Sequence, residues 1–110
     1  MLINGIPTEA VSARDRGLAY GGGHFTTMLV KQGQVIWWPA HLARLQHASA
    51  RLGFAELPWD TLAAEVAQLA AGQTQAVAKI VLTRGSGGRG YDGAGCKTPT
   101  RIVSLAPYPA

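Results

Sequence analysis

The chain has 110 residues, a formal net charge of +4, and a composition that is 47% hydrophobic but only 15% charged. This length allows one domain, and the apolar fraction excludes a disordered segment. No apolar run approaches the roughly 18 residues that a membrane-spanning helix needs. A single cysteine, Cys96, excludes a disulfide framework and a thiolate metal cluster, and the first residues lack a signal-peptide pattern. We therefore expect one cytoplasmic domain with no metal site and no membrane contact.

Arginine dominates the positive charge, since seven of the ten basic residues are arginines. The planar guanidinium binds carboxylate and phosphate at two points, which lysine cannot do. A modest excess spread along the chain favours small anionic ligands over a nucleic-acid surface. Genomic base composition, which can also favour arginine over lysine, remains an alternative explanation.

The N-terminal third predicts hairpins. Residues 1–6 read as a strand that enters a tight turn at Asn4 and Gly5, because this pair tolerates positive φ. Residues 12–23 mix serine, arginine, aspartate and glycine without a period, which predicts a loop.

A second pair of strands follows. The β-branched and aromatic residues of 24–30 predict a strand, and residues 32–34 predict a turn. The apolar residues 35–38 are then expected to form the second arm of this hairpin.

Two helices are predicted in succession. The first covers residues 40–52 after Pro39, and the second begins near Pro58 and ends before Gly72. The apolar face of the first helix consists of His41, Leu45, Ala48 and Leu52, with Leu42 and Ser49 beside it. The stripe of the second helix consists of Trp59, Leu62, Val66 and Leu69.

The C-terminal third predicts a strand over 76–83, a glycine-rich loop over 84–98 and a final strand over 101–105, after which two prolines give an extended end. Two consecutive helices between strands indicate an α+β fold rather than alternating βαβ units. We expect an antiparallel sheet of hairpins with both helices on one side.

Arg44 lies at the border of the first helical stripe, one turn after His41. In one interpretation its stem packs on the apolar face while its head group stays in water, as is common for arginine. In the other, a cation beside a buried face binds an anion, with His41 supporting it. The periodicity leaves both open.

The glycine-rich loop contains a G-x-G-x-x-G pattern directly after a strand, which raises the possibility of a dinucleotide site. Such a site needs a helix that begins at the third glycine, and residues 92–99 cannot form one. A loop that presents Arg84, Arg89 and Tyr91 remains, and it suits a carboxylated ligand. A surface loop with solvated charges and a weak RNA-binding segment are the alternatives.

Several remaining groups carry weaker signals. Lys79 lies in the middle of a predicted strand, where a solvent-facing lysine is the commoner case and a buried one with a lowered pKa the alternative. The histidines His24, His41 and His47 lack zinc-ligand spacing, and no serine or cysteine is paired with an identifiable base.

Six stretches carry a resemblance to a known family. They are I-N-G at 3–5, D-R-G leading to Y-G at 15–21, F-T-T at 25–27, H-L-A-R-L at 41–45, K-I-V-L-T-R-G at 79–85 and G-R-G-Y at 88–91. In this order, over essentially the whole chain, they resemble the N-terminal part of the fold-type IV pyridoxal-phosphate enzymes. Within that group the resemblance is to the aminodeoxychorismate lyases more than to the D-amino-acid or branched-chain aminotransferases.

The resemblance implies an enzyme of folate biosynthesis that is a homodimer and uses pyridoxal 5'-phosphate. Its reaction would convert 4-amino-4-deoxychorismate into 4-aminobenzoate and pyruvate. Arg44 would hold the cofactor phosphate, and Thr26 and Thr27 would be the catalytic hydroxyls of the elimination. Substrate contacts are implied for Phe25, Arg84 and Arg89.

Two departures qualify this expectation. The family commonly has Gly-Asp-Gly where this chain has glycines at 21–23. The family's Schiff-base lysine lies in a second domain, and Lys31, Lys79 and Lys97 do not occupy its position. We therefore expect residues 1–110 to form only the N-terminal domain, inactive alone, with the cofactor bound by the complete enzyme. The alternatives are an aminotransferase of the same fold, acting on D-amino or branched-chain amino acids, and a free-standing module that binds a small anion or RNA.

Overall fold

The computed structural model describes residues 1–86 and 98–109. In chain order the elements are β1 (Leu2–Ile3), β2 (Ile6–Pro7), α1 (Arg16–Tyr20), β3 (Gly23–Lys31), β4 (Gln34–Val35), α2 (Trp38–Arg51), α3 (Trp59–Ala70), β5 (Gln75–Thr83) and β6 (Thr100–Pro107). These strands form one sheet in the order β2-β1-β6-β5-β3-β4, and every neighbouring pair is antiparallel. The predicted α+β fold is confirmed.

Both short hairpins close through two-residue turns in which each residue has positive φ. The values are 52° and 79° at Asn4 and Gly5, and 52° and 76° at Gln32 and Gly33. This backbone geometry follows the twist of the flanking strands, which is why such turns favour glycine and asparagine. The turn predicted at Asn4 and Gly5 is confirmed.

The loop predicted over 12–23 is wrong in its middle, because α1 lies there. Asp15 caps this helix by accepting a hydrogen bond from the Gly17 amide at 2.8 Å, and Gly21 ends it with φ 68°. Five residues are too few to show a helical period, so only the capping residues Asp15 and Gly21 indicate this helix in the sequence.

The second hairpin arm is shorter than predicted. Strand β4 ends at Val35, and Trp37 turns the chain with φ 59° before α2 begins at Trp38. Pro39 stands in the first turn of α2, where its missing N–H costs no hydrogen bond. The expectation of a strand through 35–38 is therefore wrong beyond its first residue.

The helices and long strands otherwise follow the prediction to within about two residues, which is the usual uncertainty of element ends. One packing detail differs. Leu45 and Ser49 are buried on α2, but Leu52 follows the last helical residue and is 42% exposed. None of the helices in the described ranges has the length and hydropathy of a membrane span.

Helices α2 and α3 cover one face of the sheet. The core between them and the strands contains Met28, Leu45, Leu62, Ile80 and Val103. Side chains alternate along β3, so that its even-numbered residues point into this layer and its odd-numbered residues point to the opposite face. This alternation determines where each candidate site residue lies.

Candidate functional site

Part of β3 is a free edge of the described sheet. Strand β5 pairs with all of β3, whereas β4 pairs only with Val30 and Lys31. The Arg84 amide donates to the Gly22 carbonyl at 2.9 Å, which directs the backbone groups of the even-numbered β3 residues towards β5. The backbone N–H and C=O groups of Phe25 and Thr27 therefore point outward along the free edge, whereas Lys31 pairs with β4 and the Leu29 carbonyl accepts from Ile36.

On the helix side of this edge, Thr26 contacts α2. Its side chain is buried, and its Oγ1 lies 2.9 Å from Nδ1 of His41. Burial lowers the pKa of His41, and the positive charge of Arg44 lowers it further. Both effects favour the neutral form of the imidazole, and His41 stands one turn from Arg44 on the same side of the helix.

Arg44 presents an exposed head group. Within residues 1–86 and 98–109, no hydrogen bond or ion pair of its guanidinium is seen. One sequence interpretation placed this head group in water and the other had it bind an anion; the exposed guanidinium is compatible with both, and His41 stands one turn before it. A cation with this setting is available to an anionic ligand.

On the opposite face, three different groups meet. The Phe25 ring is 60% exposed, and Nζ of Lys79 lies 4.7 Å from its centroid. Thr27 is exposed and stands directly across from Lys79 in the register of β3 and β5. A hydroxyl, an ammonium and an aromatic ring are thus neighbours on an open surface, and cation–π contact holds the ammonium over the ring.

Thr26 and Thr27 were predicted together, but they lie on opposite faces of the sheet. Lys79 was predicted to face solvent and was not assigned to the site, although it does lie beside Phe25. Because side chains alternate along a strand, the sequence itself indicates that the adjacent Thr26 and Thr27 lie on opposite faces. Recognising Lys79 required the register of β3 against β5, which no single stretch of sequence contains.

An apolar recess adjoins Phe25 where α1 crosses the end of β5. Its volume is about 310 Å³, near the lower limit for small-molecule pockets. It is lined by Val11, Leu18, Phe25, Val81, Thr83 and Ile102. The open face therefore offers an apolar surface next to the polar groups of Thr27 and Lys79.

Arg84, predicted as a substrate contact, lies on the helix side. Its guanidinium donates to the Leu52 carbonyl at the end of α2 and lies 5.0 Å from the centroid of the Phe54 ring. His24 packs on the same ring and bonds Ser49 at 2.9 Å. Arg84 thus holds the end of α2 in place.

The predicted substrate contact of Arg89 lies outside the described residues. Its assignment stays a prediction from the family resemblance.

Comparison with known proteins assigns the chain to a class. Residues 23–110 match the family model described as amino-transferase class IV, so the chain belongs to that family. The resemblance predicted from the sequence is confirmed.

Individual relatives give a more specific comparison than the family model. The chain is 33% identical to an aminodeoxychorismate lyase of Vibrio harveyi over 98% of its own length and 40% of that protein. It is 40% identical to the crystal structure of 4-amino-4-deoxychorismate lyase from Pseudomonas aeruginosa, with a TM-score of 0.89, over 97% of this chain and 39% of that one. A hypothetical aminotransferase from Mycobacterium tuberculosis, in its PLP-bound form, is 27% identical with a TM-score of 0.72, over 94% and 36% of the two chains. The chain thus spans about two fifths of the length of the relatives that it matches.

Proposed function

We propose that this chain is the N-terminal part of an aminodeoxychorismate lyase, which converts 4-amino-4-deoxychorismate into 4-aminobenzoate and pyruvate. The observation that carries the proposal is the arrangement around the free edge of β3. Arg44 offers an uncompensated charge on one side, and Thr27 and Lys79 offer a hydroxyl and a second charge on the other. The similarity to two lyases over almost the whole chain supports the same reaction.

The cofactor of the complete enzyme is pyridoxal 5'-phosphate in this proposal, and the chain contributes its phosphate site. Arg44 suits this role because its exposed guanidinium has the planar donor set that a phosphate accepts. His41 is compatible with this role of Arg44, because a neutral imidazole does not repel the guanidinium. When bound, this cofactor acts as the electron sink for bond cleavage at the amino-bearing carbon of the substrate.

The substrate would lie on the open face. Lys79 is placed to bind a carboxylate of the substrate, and Phe25 and the recess beside it cover the apolar part of the ring. In this proposal Thr27 would donate a hydrogen bond to the leaving enolpyruvyl group. Arg89 remains a second candidate for a carboxylate, on the family resemblance alone.

The complete protein would contain a second domain that supplies the lysine bound to the cofactor, and it would be a homodimer. The length of the matched relatives supports the first part of this proposal. The direct test is the intact mass and visible absorption of the protein purified from its own cells. A mass well over twice 11.6 kDa with a yellow chromophore is expected. A colourless 11.6 kDa species would instead favour a free-standing binding module.

The reaction is tested by incubating that protein with 4-amino-4-deoxychorismate and measuring 4-aminobenzoate and pyruvate. Equal amounts of both products are expected. An aminotransferase of the same fold is the second candidate, because the family model and one of the similar structures carry that description. Transfer of an amino group to an added keto acid, without release of the two products, would select it.

A further inference from the structure

Two contacts of the same chemistry attach α2 to β3. Thr26 of the strand bonds His41 of the helix at 2.9 Å, and His24 of the strand bonds Ser49 of the helix at 2.9 Å. The strand supplies the hydroxyl in the first contact and the imidazole in the second. Each contact joins an inward-facing residue of β3 to α2 without any formal charge.

The two contacts differ in their distance from Arg44 along the helix. His41 precedes Arg44 by three residues, so the two side chains are neighbours on one face. Ser49 follows Arg44 by five residues, which places it about 140° further around the helix. By this spacing, only the Thr26–His41 contact lies on the side of α2 that carries Arg44.

The surroundings of Thr26 argue against direct contact with substrate. The residue is only 2% exposed and faces the helices, whereas Thr27 lies on the open face with Phe25 and Lys79. A hydroxyl in this position acts on His41. When Oγ1–H donates to Nδ1, it stabilises the neutral imidazole and prevents the ring from rotating.

We propose that Thr26 is a positioning residue: its buried hydroxyl fixes the imidazole of His41, and the fixed imidazole orients the guanidinium of Arg44 towards the cofactor phosphate. The inference rests on the proposed function of Arg44. A long exposed arginine loses side-chain entropy when it binds an anion. Because a fixed His41 stands three residues before Arg44, the arginine side chain has fewer conformations to lose when it binds.

The test compares pyridoxal 5'-phosphate with pyridoxal, which has the same ring and lacks the phosphate. The full-length protein is purified from its own cells, and the dissociation constants of the two ligands are measured by absorbance titration. The ratio of the two constants reports the phosphate site alone. Thr26→Val removes the hydroxyl at nearly constant volume, and Ser49→Ala removes the equivalent contact at the far end of α2 as a matched control.

Arg44→Ala is expected to lower the preference for the phosphorylated ligand about 10- to 100-fold, the range for a hydrogen bond to a charged group. Thr26→Val is expected to lower it about three- to tenfold, the range for a neutral hydrogen bond. Thr26→Ser keeps the hydroxyl and is expected to retain the wild-type ratio. Ser49→Ala is expected to retain it as well, although it loses stability like Thr26→Val.

The outcomes separate this inference from the function on which it rests. If Arg44→Ala leaves the ratio unchanged, the phosphate role of Arg44 is wrong and the role of Thr26 is lost with it. If Arg44→Ala lowers the ratio but Thr26→Val behaves like Ser49→Ala, only the role of Thr26 is overturned. Should Thr26→Val fail to fold, His41→Leu removes the same contact from a half-buried position, and an unchanged ratio there overturns the inference equally.

Discussion

Helices α2 and α3 pack on the same face of the sheet, but different chemistry attaches them. Helix α3 is held by a bidentate ion pair, in which Arg101 donates to the Glu65 carboxylate at 2.9 and 3.0 Å. Helix α2 contains no acidic residue: two neutral histidine–hydroxyl contacts attach it to β3, and the Arg84 guanidinium donates to the Leu52 carbonyl at its C-terminal end. The difference bears on Arg44: a carboxylate on α2 could pair with its guanidinium, whereas α2 is attached without any carboxylate, so among the described residues the charge of Arg44 has no ion-pair partner.

The largest effect is expected from breaking the ion pair of α3. Arg101→Met leaves the Glu65 carboxylate in a site where it is only 8% exposed. We expect a loss of about 3 kcal/mol in the free energy of unfolding, because a nearly buried charge loses its partner. Urea denaturation measures this loss. The double variant Glu65→Met, Arg101→Met should recover most of it, and a single-variant loss below about 1 kcal/mol would contradict this account.

A smaller effect is expected from the neutral contacts of α2. Ser49→Ala and Thr26→Val should each lower the free energy of unfolding by about 1 kcal/mol, the usual contribution of a neutral hydrogen bond. The same denaturation experiment measures both. If either variant lost as much as Arg101→Met, the contrast between the two helices would be wrong.

The contrast also predicts how stability depends on pH. Burial lowers the pKa of His24 below its ordinary value of 6.5, so the unfolded chain binds a proton more readily than the folded one. The contribution of His24 to the free energy of unfolding is therefore fully present above pH 6.5, and it is lost as the pH falls from there to the folded-state pKa. Thermal denaturation between pH 8 and 5 should show this fall. His24→Gln, which does not titrate, should make it shallower, and an unchanged slope would count against the role of His24.

The smallest effect is expected on the pKa of one group, the imidazole of His41. Arg44→Ala removes the charge that, after burial, lowers the pKa of His41, so that pKa should rise towards its ordinary value. An NMR titration of the imidazole measures the change. Arg51→Ala, which removes an exposed arginine two turns further along α2, is the matched control and should leave the His41 titration as it is. Because Arg44 is exposed, its removal should change stability by less than about 0.5 kcal/mol.

Much of the fold could be predicted because its long elements have distinctive composition or period. Strand β3 is rich in β-branched and aromatic residues, β5 is nearly all apolar, and α2 and α3 repeat apolar residues every three or four positions. Helix α1 was missed because five residues do not complete a pattern. The shortened β4 was missed because Trp37 adopts positive φ, which an aromatic residue rarely does.

The sequence named candidate site residues but did not show how they are arranged in space. A motif places Thr26 beside Thr27 in the chain, but the pleat of the strand sends them to different faces. Arg84 was predicted as a substrate contact because the glycine-rich loop suits a carboxylated ligand, and no local pattern indicated that its guanidinium donates to a carbonyl 32 residues away. The contact between Lys79 and Phe25 likewise depends on tertiary pairing, which no local pattern encodes.

The free edge of β3 has an evolutionary consequence. The outward N–H and C=O groups at Phe25 and Thr27 belong to the main chain, so they are inherited with the register of the sheet rather than with particular side chains. Substitutions at these two positions change the shape and polarity that the edge presents, while its donors and acceptors stay where they are. Under the proposed function, a lineage that retains the sheet would keep this main-chain frame while substitutions at the two positions changed what it binds.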